Sequence, residues 1–220
     1  MTTVGMVGSG NIGATVARLA VAAGYDVVVS NSRGPETLAD LVAELGPKAR
    51  AVTAAEAALD GDLVLVSVPL RAVPHLPAEP FAGKIVMDTN NYYPQRDGQF
   101  PELDDDSTTG SELLARQLPG AKIVKVFNNI FFKHLGALAR PSGAADRSAL
   151  AIAGDDADAK AAVTEFLDRI GYDAVDAGPL GNGGRQFQVN SRNYGGLYGD
   201  FGDPAGTPVS ADQLAARLSD

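Results

Sequence analysis

Residues 3–7 (TVGMV), 26–30 (DVVVS) and 63–69 (LVLVSVP) are short apolar runs, and between them apolar residues recur three and four positions apart. Those two periods predict buried strands separated by helices. After 3–7 comes GSGNIG and then ATVARLAVAAG, where Val16, Leu19, Ala20 and Ala23 share a helical face that Gly24 ends. The pattern continues with a helix over 35–45 stopped by Gly46-Pro47, a strand at 50–52, a capping box of Thr53 and Glu56, strands at 84–88 and 122–126, and a helix over 109–117. Six strands with intervening helices imply an α/β class, a Rossmann-like doubly wound parallel sheet, with residues 63–67 apolar enough to be buried on both faces.

Past residue 140 the alternation shrinks. SALAIAG, a helix over 156–169 and YDAVDAGPLG form a small α/β extension able to add edge strands to the same sheet. A turn-rich segment, NGGRQFQVNSRNYGGLYGDFGDPAGTP, and a last helix capped by Ser210, with Leu214 and Leu218 one turn apart, complete it. The expected organisation is a dinucleotide-binding domain over 1–140 and an extension over 141–220 that completes the substrate site or an oligomer interface. TNNYYPQRDGQFPELDDD, at 89–106, reads as a long polar loop.

Between the first strand and the first helix, Gly8, Ser9, Gly10, Asn11, Ile12 and Gly13 spell G-x-G-x-x-G. In that context the first glycine permits the tight turn, the second lets a pyrophosphate approach the backbone, and the third lets the helix lie close to the sheet. The position for a ribose-binding carboxylate falls near Asn31. Asn31 and Ser32 donate hydrogen bonds without adding negative charge, and the fork of Arg33 suits a 2′-phosphate, so NADP is expected over NAD. The plainer reading is that residues 30–33 cap the following helix and leave Arg33 solvated.

Composition narrows the partners. The 220 residues carry a formal charge of -9 spread along the chain, which disfavours nucleic acid and anionic lipid. Cysteine is absent, which removes thiolate metal sites and disulfides. His75 and His134 lack ligand spacing, and consecutive Asp104, Asp105 and Asp106 point in different directions, so no metal is expected. With no basic, cleavable or membrane-spanning apolar stretch, a cytoplasmic small-molecule enzyme is the expectation.

On GSGNIG (8–13), NSR (31–33), VSVP (66–69), KVFNNI (125–130) and DAGPL (176–180), the chain resembles the NADP oxidoreductases dependent on coenzyme F420, a flavin-like deazaflavin, and the related reductase domain of six-transmembrane metalloreductases. The resemblance implies that Ser9 and Asn11 lie in the pyrophosphate loop, Ser32 and Arg33 bind the 2′-phosphate, and Val68 and Pro69 flank the nicotinamide ribose. It also implies that Asn128, Asn129 and Ile130 line the place where nicotinamide meets the acceptor ring, coenzyme F420 or alternatively FMN or FAD. The two asparagines depart from the family, whose deazaflavin enzymes often carry a histidine before a Thr-Ile pair.

Hydride transfer to such a ring needs positioning and fixed dipoles more than a protein nucleophile. Asn128 and Asn129 suit this at a strand's carboxyl end, with Phe127, Ile130, Phe131 and Phe132 as a ring wall or simply as core. Asn90, Asn91, Tyr92 and Tyr93 are further candidates, the tyrosines by stacking on a ring or donating through their hydroxyls, and Arg96 could pair with an acidic or phosphorylated acceptor tail; the plainer reading is surface-loop packing. A different enzyme, reducing a small carbonyl or imine compound, would need a proton donor; by type these are Tyr92, Tyr93 and His134. A non-catalytic NADP(H)-binding module is the third reading. Tyr194, Tyr198 and Phe201 in the tail would be exposed without a cover, which, with the resemblance, points to a homodimer.

Overall fold

The computed structural model describes residues 2–219, so Met1 and Asp220, the outer bounds of the two expected segments, lie outside the described residues. In chain order the elements are β1 (Thr3–Val7), α1 (Asn11–Ala22), β2 (Asp26–Ser30), a 3₁₀ turn (Pro35–Leu38) running into α2 (Ala39–Leu45), β3 (Ala49–Ala51), α3 (Ala54–Asp60) and β4 (Leu63–Val66). After β5 (Ile85–Asp88) come the single-turn helices α4 (Pro94–Asp97) and α5 (Pro101–Asp104), then α6 (Gly110–Gln117), β6 (Lys122–Lys125) and α7 (Phe132–Ala137). The last part holds β7 (Ala149–Gly154), α8 (Ala157–Ile170), β8 (Asp173–Asp176), α9 (Leu180–Arg185) and α10 (Ala211–Ser219).

All eight strands form a continuous ladder in the order β3-β2-β1-β4-β5-β6-β7-β8, parallel except where β7 runs antiparallel to β6. The expected doubly wound sheet is therefore observed, and the C-terminal segment extends it. Strand β4 is buried along its whole length. Helices cover both faces: Val16 and Ala20 of α1, Phe166 and Leu167 of α8 and Leu214 of α10 pack on one side, and Ala57 of α3, Leu114 of α6 and Leu180 of α9 on the other. The chain moves from β1 outward to β3 and then returns to β4 on β1's other flank. The carboxyl ends of β1 and β4 thus bound the crevice in which such sheets place ligands.

Two segments differ from the expectation. The loop over 89–106 contains two helical turns, each opened by a proline whose fixed φ suits the first helical position. Asp97 pins the first of them: its carboxylate accepts from the amides of Tyr93 (3.0 Å) and Arg71 (3.4 Å) and from the Arg96 guanidinium. Burial pushes its pKa up, but Arg96 and those amides outweigh this and hold it below the ordinary range. The second difference is α9, whose sequence LGNGGR has poor helix propensity. Close packing overrides it: a Cβ on Gly183 would stand 2.6 Å from the Ala177 carbonyl oxygen, and one on Gly184 3.1 Å from Lys125 Cδ.

Candidate functional site

The glycine loop follows from sterics. Gly8 has φ +106°, and a Cβ there would lie 2.2 Å from the Ser67 carbonyl, so only glycine lets the β1 and β4 loops meet. A Cβ on Gly13 would lie 2.0 Å from the Gly8 carbonyl, whereas Gly10 faces open space. Ser9 closes the loop by donating its hydroxyl to the Ser30 carbonyl at 2.8 Å. Helix α1 has no side-chain cap and no acidic residue in its first turn. By contrast, α3 and α6 carry complete capping boxes, Thr53 with Glu56 and Thr109 with Glu112. The first amides of α1 are therefore left for an anion, which the helix dipole also favours.

At the end of β2, Asn31 organises the turn. Its Oδ1 accepts from the amides of Arg33 (2.8 Å) and Gly34 (3.0 Å), and its Nδ2 donates to Thr37 Oγ1 at 2.8 Å. Asn31 is thus a loop-builder with both amide ends engaged. Ser32 and Arg33 project from that loop and are exposed. No carboxylate pairs with the Arg33 guanidinium among the described residues.

Over the crevice lies a cavity of about 480 Å³, within the range of small-molecule sites. Asn11 and Ile12, Val68 and Pro69, Asn90 and Asn91, and Asn128, Asn129 and Ile130 all border it, so the structure brings those predicted residues together. Asn90 Oδ1 accepts from the Val68 amide at 3.0 Å, fixing one wall. Asn128 Nδ2 donates to the Phe187 carbonyl (2.8 Å) and Asn129 Nδ2 to the Asn193 carbonyl (3.0 Å), which ties the C-terminal tail across the site. Asn90 Nδ2, Asn128 Oδ1 and Asn129 Oδ1 are buried without partners. Unpaired buried polar atoms are costly.

The aromatic candidates separate. Phe127 is a core residue, fully buried with φ +64°, and it does not border the cavity; the turn it makes aims Asn128 and Asn129. Phe131 and Phe132 do line it, with Phe201 packed 5.1 Å from Phe131. Of the expected proton donors, Tyr93 borders the cavity, while Tyr92 is held by Asp104 and the Phe100 amide outside it. His134 is buried, donating Nε2–H to the Asp203 carbonyl at 2.7 Å, and His75 is exposed. Among the described residues no cluster of three or more His, Asp or Glu is placed to hold a metal.

Tyr194 is the residue the sequence did not reveal. Its hydroxyl is hydrogen-bonded to that of Tyr93 and accepts from Asn91 Nδ2 at 3.4 Å. Burial, and then the bond to Tyr93, push its pKa well above the ordinary tyrosine value. A glycine-rich tail carries no periodic signal that would have placed it there. The tail also accounts for its own rings: Tyr198 is buried and donates to the Ala149 carbonyl at 2.9 Å, so of the three rings read as needing a cover only Phe201, 56% exposed, still lacks one.

A glycine loop, a carboxylate-free turn after β2 and a cavity over the sheet's switch point define an NADP(H)-binding oxidoreductase of Rossmann-like fold. Residues 3–92 match the family model described as NADP oxidoreductase coenzyme F420-dependent. A hypothetical protein from Sinorhizobium meliloti is 29% identical, with TM-score 0.74 over 88% of this chain and 93% of its own. A protein from Arthrobacter sp. FB24 provisionally described as an F420-dependent NADP-reductase is 26% identical, with TM-score 0.68 over 82% of this chain and 86% of its own. Metalloreductase STEAP3 of Rattus norvegicus is 31% identical over 180 residues, 80% of this chain; the chain spans 34% of that protein's length. No helix among the described residues is long and apolar enough to cross a membrane.

Proposed function

We propose that the protein reduces a small carbonyl or imine compound at the expense of NADPH. The observation that carries this reading is the Tyr93–Tyr194 hydroxyl pair inside the cavity bounded by the glycine loop and Asn128–Asn129. When bound, NADPH supplies the hydride that reduces the acceptor's C=O or C=N carbon. The chain's own tasks are to hold the two reactants within roughly 3 to 3.5 Å and to deliver a proton. Tyr93 gives its hydroxyl proton to the acceptor's oxygen or nitrogen, and Tyr194, kept protonated by burial, steadies the resulting phenolate. Gly10 and the α1 amides of Asn11, Ile12 and Gly13 hold the pyrophosphate; Val68, fixed by Asn90, and Pro69 flank the nicotinamide ribose; Asn128 and Asn129 offer the carboxamide their unpaired Oδ1 atoms.

A second reading, a deazaflavin or flavin acceptor (coenzyme F420, FMN or FAD), is favoured by the apolar shelf of Ile130, Phe131, Phe132 and Phe201 and by the description of the Arthrobacter relative. Following NADPH oxidation against carbonyl and imine compounds, coenzyme F420, FMN and FAD, and repeating it with NADH, separates the two. Turnover confined to the flavin-like acceptors would overturn the first.

Ser32 and Arg33 meet the 2′-phosphate in either reading. Arg33→Ala is expected to weaken NADPH binding by about 1.5–3 kcal/mol, roughly tenfold or more, and to leave NADH unchanged in calorimetry. Equal weakening of both nucleotides would remove Arg33 from that role.

A further inference from the structure

A second cavity, of about 400 Å³, shares Asn90, Asn91 and Tyr93 with the first and lies on the far side of that wall. At its inner end stands Lys125, the last residue of β6 and 2% exposed. Its Nζ donates to Ser111 Oγ at 3.1 Å, and that hydroxyl donates to Asp88 Oδ2 at 2.6 Å. The other Asp88 oxygen accepts from the Asn90 amide at 2.9 Å. An ammonium carries three donors, and one is engaged here. Burying it with so little compensation is expensive; the Asp88 carboxylate answers its charge through an intervening hydroxyl and leaves the remaining donors unsatisfied. Burial pushes the Lys125 pKa down, while Asp88 opposes this. On the shared wall, Asn90 Nδ2 is also a buried donor without a partner.

Two donor groups short of acceptors therefore border one cavity, next to the place where the acceptor must meet the nicotinamide. We infer that this cavity receives a carboxylate of the acceptor, with Lys125 as counter-charge and Asn90 as a second donor, so that the substrate is an oxo- or imino-acid whose reducible carbon points past Tyr93. Asp104 and Asp106 at the rim disfavour a more highly charged group, which selects a monoanion over a phosphate. Lys125 borders this cavity and not the one holding the glycine loop, so its role is substrate selection, and Tyr93 keeps the proton transfer. Asp88 and Ser111 position the ammonium.

The inference rests on the reductase reading for its chemistry, but it can be tested without turnover. Titrating the NADP⁺-saturated protein calorimetrically with butyrate and with butanamide, its neutral counterpart, should show butyrate bound at least about tenfold more tightly. Lys125→Met should erase that preference and leave the NADP⁺ affinity unchanged. Equal binding of the two probes, binding of neither, or a preference that survives in Lys125→Met overturns the assignment; if the variant does not fold, the wild-type comparison decides alone. In kinetics, 4-oxopentanoate should exceed 2-pentanone by at least about tenfold in kcat/KM, chiefly through KM. Butyrate binding without turnover of either ketone would sink the reductase reading while keeping the carboxylate site.

Discussion

Replacing Tyr93 by phenylalanine is expected to lower kcat for a carbonyl or imine acceptor by roughly 10²- to 10⁴-fold, the span of general acid catalysis. That corresponds to about 2.7–5.5 kcal/mol of barrier. The ring stays, so the packing that holds the segment after β5 is conserved, including the Arg96 guanidinium 4.8 Å from the ring centroid. What goes is the proton and its relay to Tyr194. Asp97, which anchors the segment through the Tyr93 backbone amide, is untouched by the change. The nucleotide's dissociation constant should therefore stay close to wild type. Tyr194→Phe removes the supporting hydroxyl only and should cost less. Single-turnover rates at saturating NADPH measure both, and a Tyr93→Phe enzyme within threefold of wild type would show that the acceptor takes no proton from this hydroxyl. A deazaflavin acceptor would show that insensitivity, so the variant also discriminates between the two readings.

Most of the framework that carries this site was legible in the sequence for a physical reason. The central strands are buried on both faces and stand out as continuous apolar runs, and helix α1 shows its period between glycines whose missing Cβ atoms leave room for neighbouring carbonyls. Thr53 with Glu56 closes the expected capping box, a signature held within four residues, and Thr109, read as the start of a helix, is the cap of a second one with Glu112. What stayed hidden depends on contacts far apart in the chain. The Tyr93–Tyr194 pair spans 101 residues, and Asn129 meets Asn193 across 64. Helix α9 defied its glycine content because tertiary packing outweighs a propensity deficit of about 1 kcal/mol per glycine. Asn31 was assigned to the ribose by its position; that its side chain also holds the Arg33 and Gly34 amides and Thr37 is a local geometry that spacing alone does not reveal.

Gly13→Ala and Gly10→Ala should both weaken nucleotide binding, for opposite reasons. Gly13 lies inside α1, where alanine is favoured by about 0.8–1.0 kcal/mol on propensity alone. A methyl there would stand 2.0 Å from the Gly8 carbonyl oxygen, and that oxygen belongs to backbone already wedged against the β4 loop. Overlap wins: relieving it displaces the loop or the helix start, at about 3 kcal/mol, the upper range for overpacking, so Tm should fall along with affinity. Gly10 has φ -74°, which alanine adopts freely, and its Cβ would meet no protein atom within 4 Å. Its Tm should match wild type, because the added methyl intrudes only on the space where the pyrophosphate approaches the backbone. Affinity should drop by roughly tenfold or more for NADPH and NADH alike, in contrast to Arg33→Ala, which spares NADH. Thermal unfolding and calorimetry on the two glycine variants decide the point. Wild-type affinity in Gly10→Ala would mean that the nucleotide's phosphates do not pass over the start of α1.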